Sequence, residues 1–172
     1  MTRLFTPAEL RNIVALLASP GLIRLITEID DNGAIPPRRT ASTLPDLSPR
    51  HLRRATEAAR THGLVRTAPG TGMELTETGA ELADLYDATA RWARRHAYPT
   101  QVCDFTRRIQ HALDLLAPSL VTEHAEGSHR LANADPLSTE AEADLARPRA
   151  LLLQWLTGNL QATVLPEPEP AA

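Results

Sequence analysis

The fold is decided by the stretch LSPRHLRRATEAARTHGLV, which covers residues 47–65. Ser48 can cap a helix by accepting the free amide hydrogens of its first turn, and Pro49 suits the first helical position. Gly63 suits the left-handed backbone conformation that often follows a helix C-terminus. The stretch therefore predicts a helix over residues 49–62, about four turns long.

The two sides of this predicted helix differ in size and charge. At about 100° per residue, the inner side carries Leu52, Ala55, Thr56 and Ala59. The outer side carries Arg50, Arg53, Arg54, Glu57 and Thr61. An arginine-faced helix suits a nucleic-acid groove, although arginine-rich exposed faces also occur in proteins without that role. The residues on either side of this helix are needed to decide between these two interpretations.

Charge is distributed unevenly along the 172 residues. The chain has a net charge of −3, and all 18 of its basic residues are arginines. Residues 36–66 contain seven arginines against Asp46 and Glu57, a net charge of +5, so the other residues together carry −8. Because salt screens charges beyond about 8–10 Å, phosphates sense this local excess rather than the average.

The composition favours a helical protein of the cytoplasm. Apolar residues make up 42% of the chain and aromatic residues 3%, so the core has to be built from Leu, Ile, Val and Ala. The single Cys103 excludes an intrachain disulfide and suits a reducing compartment. The N-terminus lacks the apolar run of a signal peptide, and no stretch reaches the ~18 apolar residues of a membrane span. We therefore expect a cytoplasmic location and no membrane partner.

The residues before the basic helix predict a helix-turn-helix. Apolar residues at helical spacing predict a first helix over 7–18. After an interruption at Ser19-Pro20-Gly21 they predict a strongly apolar second helix, which is ended by Asp31-Asn32-Gly33. Residues 35–37 should be extended, since proline restricts the residue before it. A short helix from Arg38 to Leu44 and a turn over 44–47 then lead into the basic helix.

The residues after the basic helix predict a hairpin. Residues 64–67 and 73–75 read as two short strands, and the proline- and glycine-rich residues 68–72 read as the turn between them. A hairpin directly after a basic helix is typical of a wing. The predicted fold class is mainly α: a winged helix-turn-helix with a small two-stranded wing and a C-terminal helical extension.

The sequence resembles the HxlR-type winged-helix transcriptional regulators. The resemblance covers about residues 19–97 and is carried by Leu44-Pro45-Asp46-Leu47-Ser48-Pro49-Arg50 with Leu52, Gly63-Leu64-Val65, Leu75-Thr76-Glu77-Thr78-Gly79 and Trp92-Ala93. It implies a bacterial cytoplasmic homodimer that binds promoter DNA through the helix at 48–62, with residues 64–75 as the wing. The MarR, PadR and ArsR groups share much of this pattern.

The chain departs from the family's pattern in three places. Its wing is short, and only Arg66 is basic nearby. Pro36-Pro37 stands where the family normally has an Arg-Phe pair, and the N-terminal cysteine that some members use as a sensor is missing. These departures argue against DNA contact by the wing and against thiol sensing.

The second half is predicted to be helical. A helix from residue 77 to about 97 carries an apolar stripe that includes Leu82, Leu85, Tyr86 and Trp92. The resemblance implies that this helix takes part in dimerisation, so these four residues are candidate dimer contacts. The alternative is that the stripe packs against the chain's own C-terminal helices.

The remaining segments complete the predicted organisation. A helix from Val102 ends near Pro118, residues 122–137 form a loop, and Thr139 opens a last helix to about Val164 with a kink or break at Pro148. The domains are then 1–98, the DNA-binding domain; 99–165, a helical extension for dimerisation or for an effector or partner; and 166–172, a disordered tail.

Candidate DNA contacts fall into two groups. Helix residues that can reach bases or phosphates are Ser48, Arg50, His51, Arg53 and Arg54. Candidate backbone contacts, each equally interpretable as a solvated surface arginine, are Arg38, Arg39, Arg60 and Arg66. Arg50, in the first turn, is best placed for bases.

No other candidate site is supported by the sequence as well as these DNA contacts are. Glu123, His124, Glu126, His129 and Asp135 lie close together but lack the fixed spacing of strong zinc motifs, so no metal is predicted. Cys103 reads as a half-buried thiol. The chain has no phosphate loop, nucleophile elbow or convincing pair of carboxylates, so we expect neither an enzyme nor a cofactor.

Two functions therefore remain from the sequence. The first is a homodimeric regulator that inserts the helix at 49–62 into the major groove of double-stranded DNA, with a small-molecule or protein effector left open. The alternative is a winged-helix module for protein–protein association without DNA binding.

Overall fold

The computed structural model describes residues 6–122 and 137–160. The helices are α1 Pro7–Leu17, α2 Pro20–Asn32, α3 Thr40–Thr43, α4 Pro49–Thr61, α5 Glu77–Arg95, α6 Phe105–Thr122, α7 Thr139–Asp144 and α8 Ala146–Leu160. The strands are β1 Val65–Ala68 and β2 Gly72–Leu75. The described chain is thus mainly helical with one small antiparallel sheet, in the element order that the sequence predicts.

The first two helices start where their capping residues predict. Thr6 and Glu9 form a capping box around the first turn of α1, with Pro7 at its first position. The apolar stripe of α2 is entirely buried, and its residues are Leu22, Ile23, Leu25, Ile26 and Ile29. Burial of this stripe supplies the hydrophobic stabilisation that places α2 at the centre of the core.

One continuous core joins the elements before and after residue 98. It contains buried residues of α1, α2, α4, α5, α6 and α8. The hydroxyl of Tyr86 on α5 donates to the carbonyl oxygen of Leu17 on α1 at 2.7 Å, so this buried phenol has a hydrogen-bond partner. Residues after 98 therefore pack directly on the elements that the sequence assigned to the DNA-binding domain.

Small residues bring α4 close to α2. The inner face of α4 buries Leu52, Ala55 and Ala59. A Cβ atom added to Gly21 on α2 would lie 3.2 Å from the Cβ of Ala55, which is closer than ordinary van der Waals contact. The basic helix is therefore held at short distance from the core.

The hairpin is attached to the core through a third short pairing. In the β1–β2 ladder Arg66 lies opposite Glu74 and Thr67 opposite Met73. Met73 also exchanges two backbone hydrogen bonds of 2.9 Å with Ile35, which is extended as predicted. Gly72 is required beside this bridge: its φ is +107°, and a Cβ there would lie 2.1 Å from the Ile35 carbonyl oxygen.

The N-terminus of α5 lies against the end of α4. The Thr76 side chain caps α5 by accepting from the Gly79 amide, and the Thr76 amide donates to the carbonyl oxygen of Leu64 at 2.9 Å. A Cβ on Gly79 would lie only 2.0 Å from that same oxygen. Glycine at position 79 therefore allows α5 to begin directly beside the segment that follows α4.

Three predicted helix boundaries are wrong in the structure, one of them the start of α6, which lies at Phe105 rather than Val102. The short helix starts at Thr40 rather than Arg38, because Arg38 has a left-handed backbone with a φ of +67°. α6 does not end near Pro118 but continues to Thr122. Leu116 and Leu120, on either side of this proline, are both buried, and that burial offsets the helix bond that proline removes.

The break in the C-terminal helix also differs from the prediction. It lies at Leu145, and Pro148 sits in the first turn of α8, where the missing amide hydrogen needs no helical partner. Ser138, not Thr139, caps α7 by accepting from the Ala141 amide at 3.1 Å. Most of the predicted 122–137 loop, the end of the last helix and the 166–172 tail lie outside the described residues.

Across the two described ranges, no single helix has both the length and the hydropathy to cross a membrane. Taken together, α1 and α2 would meet those criteria by length and composition, but a bend of 57° separates them.

Candidate nucleic-acid interface

The helix α4 is closed at both ends by local hydrogen bonds, as its sequence predicts. At the N-terminus the Ser48 hydroxyl accepts from the His51 amide at 3.3 Å and lies 2.9 Å from Nδ1 of the His51 ring. At the C-terminus Gly63 has a φ of +63°, and the amides of Gly63 and Leu64 donate to the carbonyl oxygens of Arg60 and Ala59. This pair of bonds is a Schellman motif, which fixes where the helix stops.

α4 carries four exposed arginines: Arg50, Arg53 and Arg54 on its outward face, and Arg60 at the edge of that face. In residues 6–122 and 137–160, none of them makes a side-chain hydrogen bond or an ion pair. Arg50, Arg53 and Arg54 lie three and four residues apart, so their Cβ atoms are about 5–6 Å from one another. The face therefore concentrates a net positive charge, four arginines against Glu57, on one rigid element.

The candidate backbone contacts before α4 are exposed as well. Arg38 and Arg39 precede α3 and make no side-chain ion pair within the described ranges. Ser48 and His51 are exposed at the N-terminus of α4, beside the amide hydrogens that favour an anion there. These residues and the four arginines lie on α4 or within about ten residues of its start.

Arg66 differs from the other candidates because its charge is matched inside the hairpin. Its Nε donates to Oε1 of Glu74 at 2.7 Å, directly across the ladder. The loop at the hairpin tip, residues 69–71, carries no charged side chain. The hairpin therefore offers a phosphate much less positive charge than α4 does.

Several arginines outside α4 pair with carboxylates, among them Arg24, Arg91 and Arg95. The best-paired is Arg24, which contacts Glu28 at 2.7 Å and Asp46 at 3.0 Å. The hydrogen bond to Glu28 is the main cause that raises the pKa of Arg24. Because Arg24 holds Asp46 close, it compensates the one acidic group in the turn before α4.

The four candidate dimer contacts are buried inside a single chain. Leu82, Leu85 and Tyr86 have no exposed surface, and Trp92 is 4% exposed. The Trp92 indole N–H donates to the carbonyl oxygen of Ala141 on α7 at 2.9 Å. This part of the stripe thus packs against the chain's own elements, which was the alternative interpretation, and these side chains offer no surface to a second copy.

A network of charges between α5 and α7 is not foreseen by the sequence. Arg95 contacts Glu140 at 3.2 Å and Asp144 at 3.4 Å, and His96 contacts Asp144 at 3.1 Å. About 45 residues separate the partners along the chain, so no local signal indicates the pairing. A groove of about 660 Å³ runs beside it, lined by three carboxylates and three guanidinium groups among other residues.

The remaining candidates give no second site. Cys103 is half-buried, as expected. The five residues considered as a metal cluster, between Glu123 and Asp135, lie outside the described residues. Within the described part of the chain, no three His, Cys, Asp or Glu side chains are grouped so that they could hold a metal ion.

Comparison of the chain with protein-family models, with curated proteins and with solved structures finds no match.

Proposed function

We propose that this protein is a DNA-binding transcriptional regulator of the winged-helix type, similar to the HxlR group, and that α4 enters the major groove. The observation that carries the proposal is the set of four exposed arginines on α4, three on its outward face and Arg60 at the edge of that face, none of which is paired within residues 6–122 and 137–160. Guanidinium groups bind phosphates and the acceptor edge of guanine, and a helix fills the width of the major groove.

The order of elements around α4 supports the proposal. A core helix, a short helix, a turn and a basic helix followed by a hairpin is the arrangement of winged helix-turn-helix DNA readers. The small inner face of α4 leaves the helix on the surface of the domain rather than in its core. In this proposal Arg38, Arg39, Ser48 and His51 contact the DNA backbone.

The regulator acts in the bacterial cytoplasm as a homodimer, and no reaction of its own is assigned to it. Because Leu82, Leu85, Tyr86 and Trp92 are buried, the dimer forms through other surfaces of the chain. Sedimentation at micromolar concentration should show a species of twice the 18.8 kDa chain mass. A species of single-chain mass alone would contradict the dimer.

A second candidate function is favoured by the hairpin. Its arginine is neutralised by Glu74 and its tip is uncharged, which suits a winged-helix module that associates with proteins and does not bind DNA. The four arginines of α4, which have no partner in the described part of the chain, weigh against this alternative, since like charges three and four residues apart destabilise a helix by a few tenths of a kcal/mol per pair.

Salt-dependent binding separates the two functions. With mixed duplex DNA we expect the logarithm of the binding constant to fall with the logarithm of salt concentration, with a slope of about −2 to −4 per chain. The double variant Arg50→Ala/Arg54→Ala should bind about 100-fold more weakly, because two groove contacts are lost.

The matched control is Arg91→Ala/Arg94→Ala, which removes two exposed arginines of α5. It should leave binding within about twofold, since salt screens charges that lie away from the DNA. If no duplex binds at low salt, or if both double variants lose the same affinity, the regulator proposal is wrong.

A further inference from the structure

Glu57 is the only acidic residue of α4, and it lies near the middle of the arginine face. At about 100° per residue, its direction lies about 170° around the helix from the mean direction of the buried residues Leu52, Ala55 and Ala59. Only Arg50 points as directly away from the core. On a helix seated in a groove, these two side chains face the groove floor.

The arginines around Glu57 leave its carboxylate unpaired. Arg53 and Arg54 precede it by four and three residues, and Arg60 follows it by three. Even so, no ion pair joins Glu57 to any of them within the described ranges. Arg24 and Glu28 have the same order and spacing as Arg53 and Glu57 and do pair, at 2.7 Å. The Glu57 carboxylate therefore stays available as a hydrogen-bond acceptor.

The chemistry of the major groove limits what such a carboxylate can bind. It repels phosphates, so a position facing the groove floor suits it better than one facing the backbone. On the floor, hydrogen-bond donors are the amino groups of cytosine and adenine. Adenine presents an acceptor nitrogen beside its amino group. This nitrogen repels a carboxylate, whereas an amide can pair with both groups. A carboxylate can instead accept a hydrogen bond from the amino group of cytosine.

We infer that Glu57 determines sequence specificity by accepting a hydrogen bond from the amino group of a cytosine in the major groove. The inference rests on the proposed function and deepens it. Arg50 and Arg54, which flank Glu57 on the same face, read the acceptor edges of guanines in neighbouring base pairs. The half-site is consequently rich in G·C pairs and contains one cytosine that depends on Glu57.

Selection from a pool of randomised duplexes tests this assignment. The full-length protein should enrich cytosine at one position of the half-site. Glu57→Gln should shift the enrichment at that position to adenine, because an amide pairs with the donor and acceptor of adenine, and the cytosine-to-adenine ratio should fall about tenfold. Glu57→Ala should lose the cytosine preference without gaining adenine.

The control is Glu142→Gln, which makes the same charge change at an exposed position of α7 and should select the same sequences as the unchanged protein. If Glu57→Gln keeps the cytosine preference, or if the unchanged protein selects sequences without a fixed cytosine, the inference is wrong while the proposed function stands. If the unchanged protein retains no duplex at low salt, the proposed function fails and the inference with it.

Discussion

The arginines of α4 and two of the three arginines of α5, Arg91 and Arg95, have opposite surroundings. On α5, Arg91 pairs with Asp87 on the same helix, and Arg95 pairs with Glu140 and Asp144 of α7. On α4, four arginines lie on or at the edge of the outward face, which also carries Glu57, and pair with no acid in the described ranges. The two helices thus place the same residue type in different electrostatic surroundings.

This difference separates arginines whose ion pairs contribute to the fold from arginines whose charge remains available for binding a partner. Exposed ion pairs such as those of Arg95 contribute about 0–1 kcal/mol each, but several of them together orient α7 on α5. The unpaired arginines of α4 contribute nothing of this kind and slightly destabilise their own helix. Substitutions on α4 should therefore change binding, and substitutions around α5 should change stability.

The largest expected effect comes from Gly79→Ala, at the place where the two regions meet. The added Cβ would lie 2.0 Å from the Leu64 carbonyl oxygen, so α5 has to shift away from the end of α4. We expect a loss of about 3 kcal/mol in the free energy of unfolding, measured by urea denaturation.

The matched control for Gly79→Ala is Gly158→Ala in α8, where an added Cβ would meet nothing within 4 Å. Alanine favours helix, so this variant should be unchanged or more stable by about 0.5–1 kcal/mol. If the two variants have equal stability, the close contact between α5 and Leu64 is not what holds the two regions together.

An intermediate effect is expected from Trp92→Phe. It removes the indole donor from the carbonyl oxygen of Ala141, which still accepts from the Leu145 amide at 3.1 Å, so the lost hydrogen bond should cost about 1 kcal/mol and increase hydrogen exchange in α7. Trp155→Phe removes a comparable bond to the carbonyl oxygen of Thr78 and should lower stability while leaving exchange in α7 unchanged. Equal exchange in α7 for the two variants would show that Trp92 does not anchor that helix.

The smallest expected effect concerns Asp30, on the side of α2 near α5. Its burial, together with the charges of Asp31, Asp84 and Asp87, raises its pKa. The folded protein therefore binds a proton at Asp30 more readily than the unfolded chain does. At neutral pH the ionised carboxylate lowers the stability of the folded state, and this penalty is lost as pH falls through the raised pKa.

Asp30→Asn should accordingly stabilise the protein at pH 7 by no more than about 0.5 kcal/mol, because the group is largely exposed. The gain should disappear as pH is lowered towards 4. Thermal melts of both proteins across this range test the prediction, and a gain that grows on acidification would contradict it.

Local signals made the candidate interface predictable. Ser48, Pro49 and Gly63 fix the ends of α4 through bonds within a few residues, and helical periodicity alone assigns the arginines to the outward face. The hairpin is equally local, since its two strands are joined by a short glycine-containing turn.

Features that depend on distant residues were not predictable in the same way. Pro118 lies inside α6 because apolar residues on both sides of it pack on the rest of the core. The sequence pattern around Leu82 and Trp92 is the same whether a second chain or the chain's own helices cover these residues. Only their burial in the structure distinguishes the two possibilities. The partner of Arg95 becomes visible only when α7 is placed beside α5.

The close approach of Gly21 and Ala55 sets how far the arginines of α4 project from the body of the protein. A methyl group added at position 21 would meet the Cβ of Ala55 at 3.2 Å, so α4 would have to move outward by a few tenths of an ångström. Guanidinium groups read base edges within tenths of an ångström of their hydrogen-bond distance. Gly21 and Ala55, two of the smallest residues in the fold, thus control how far the arginine side chains of α4 can reach.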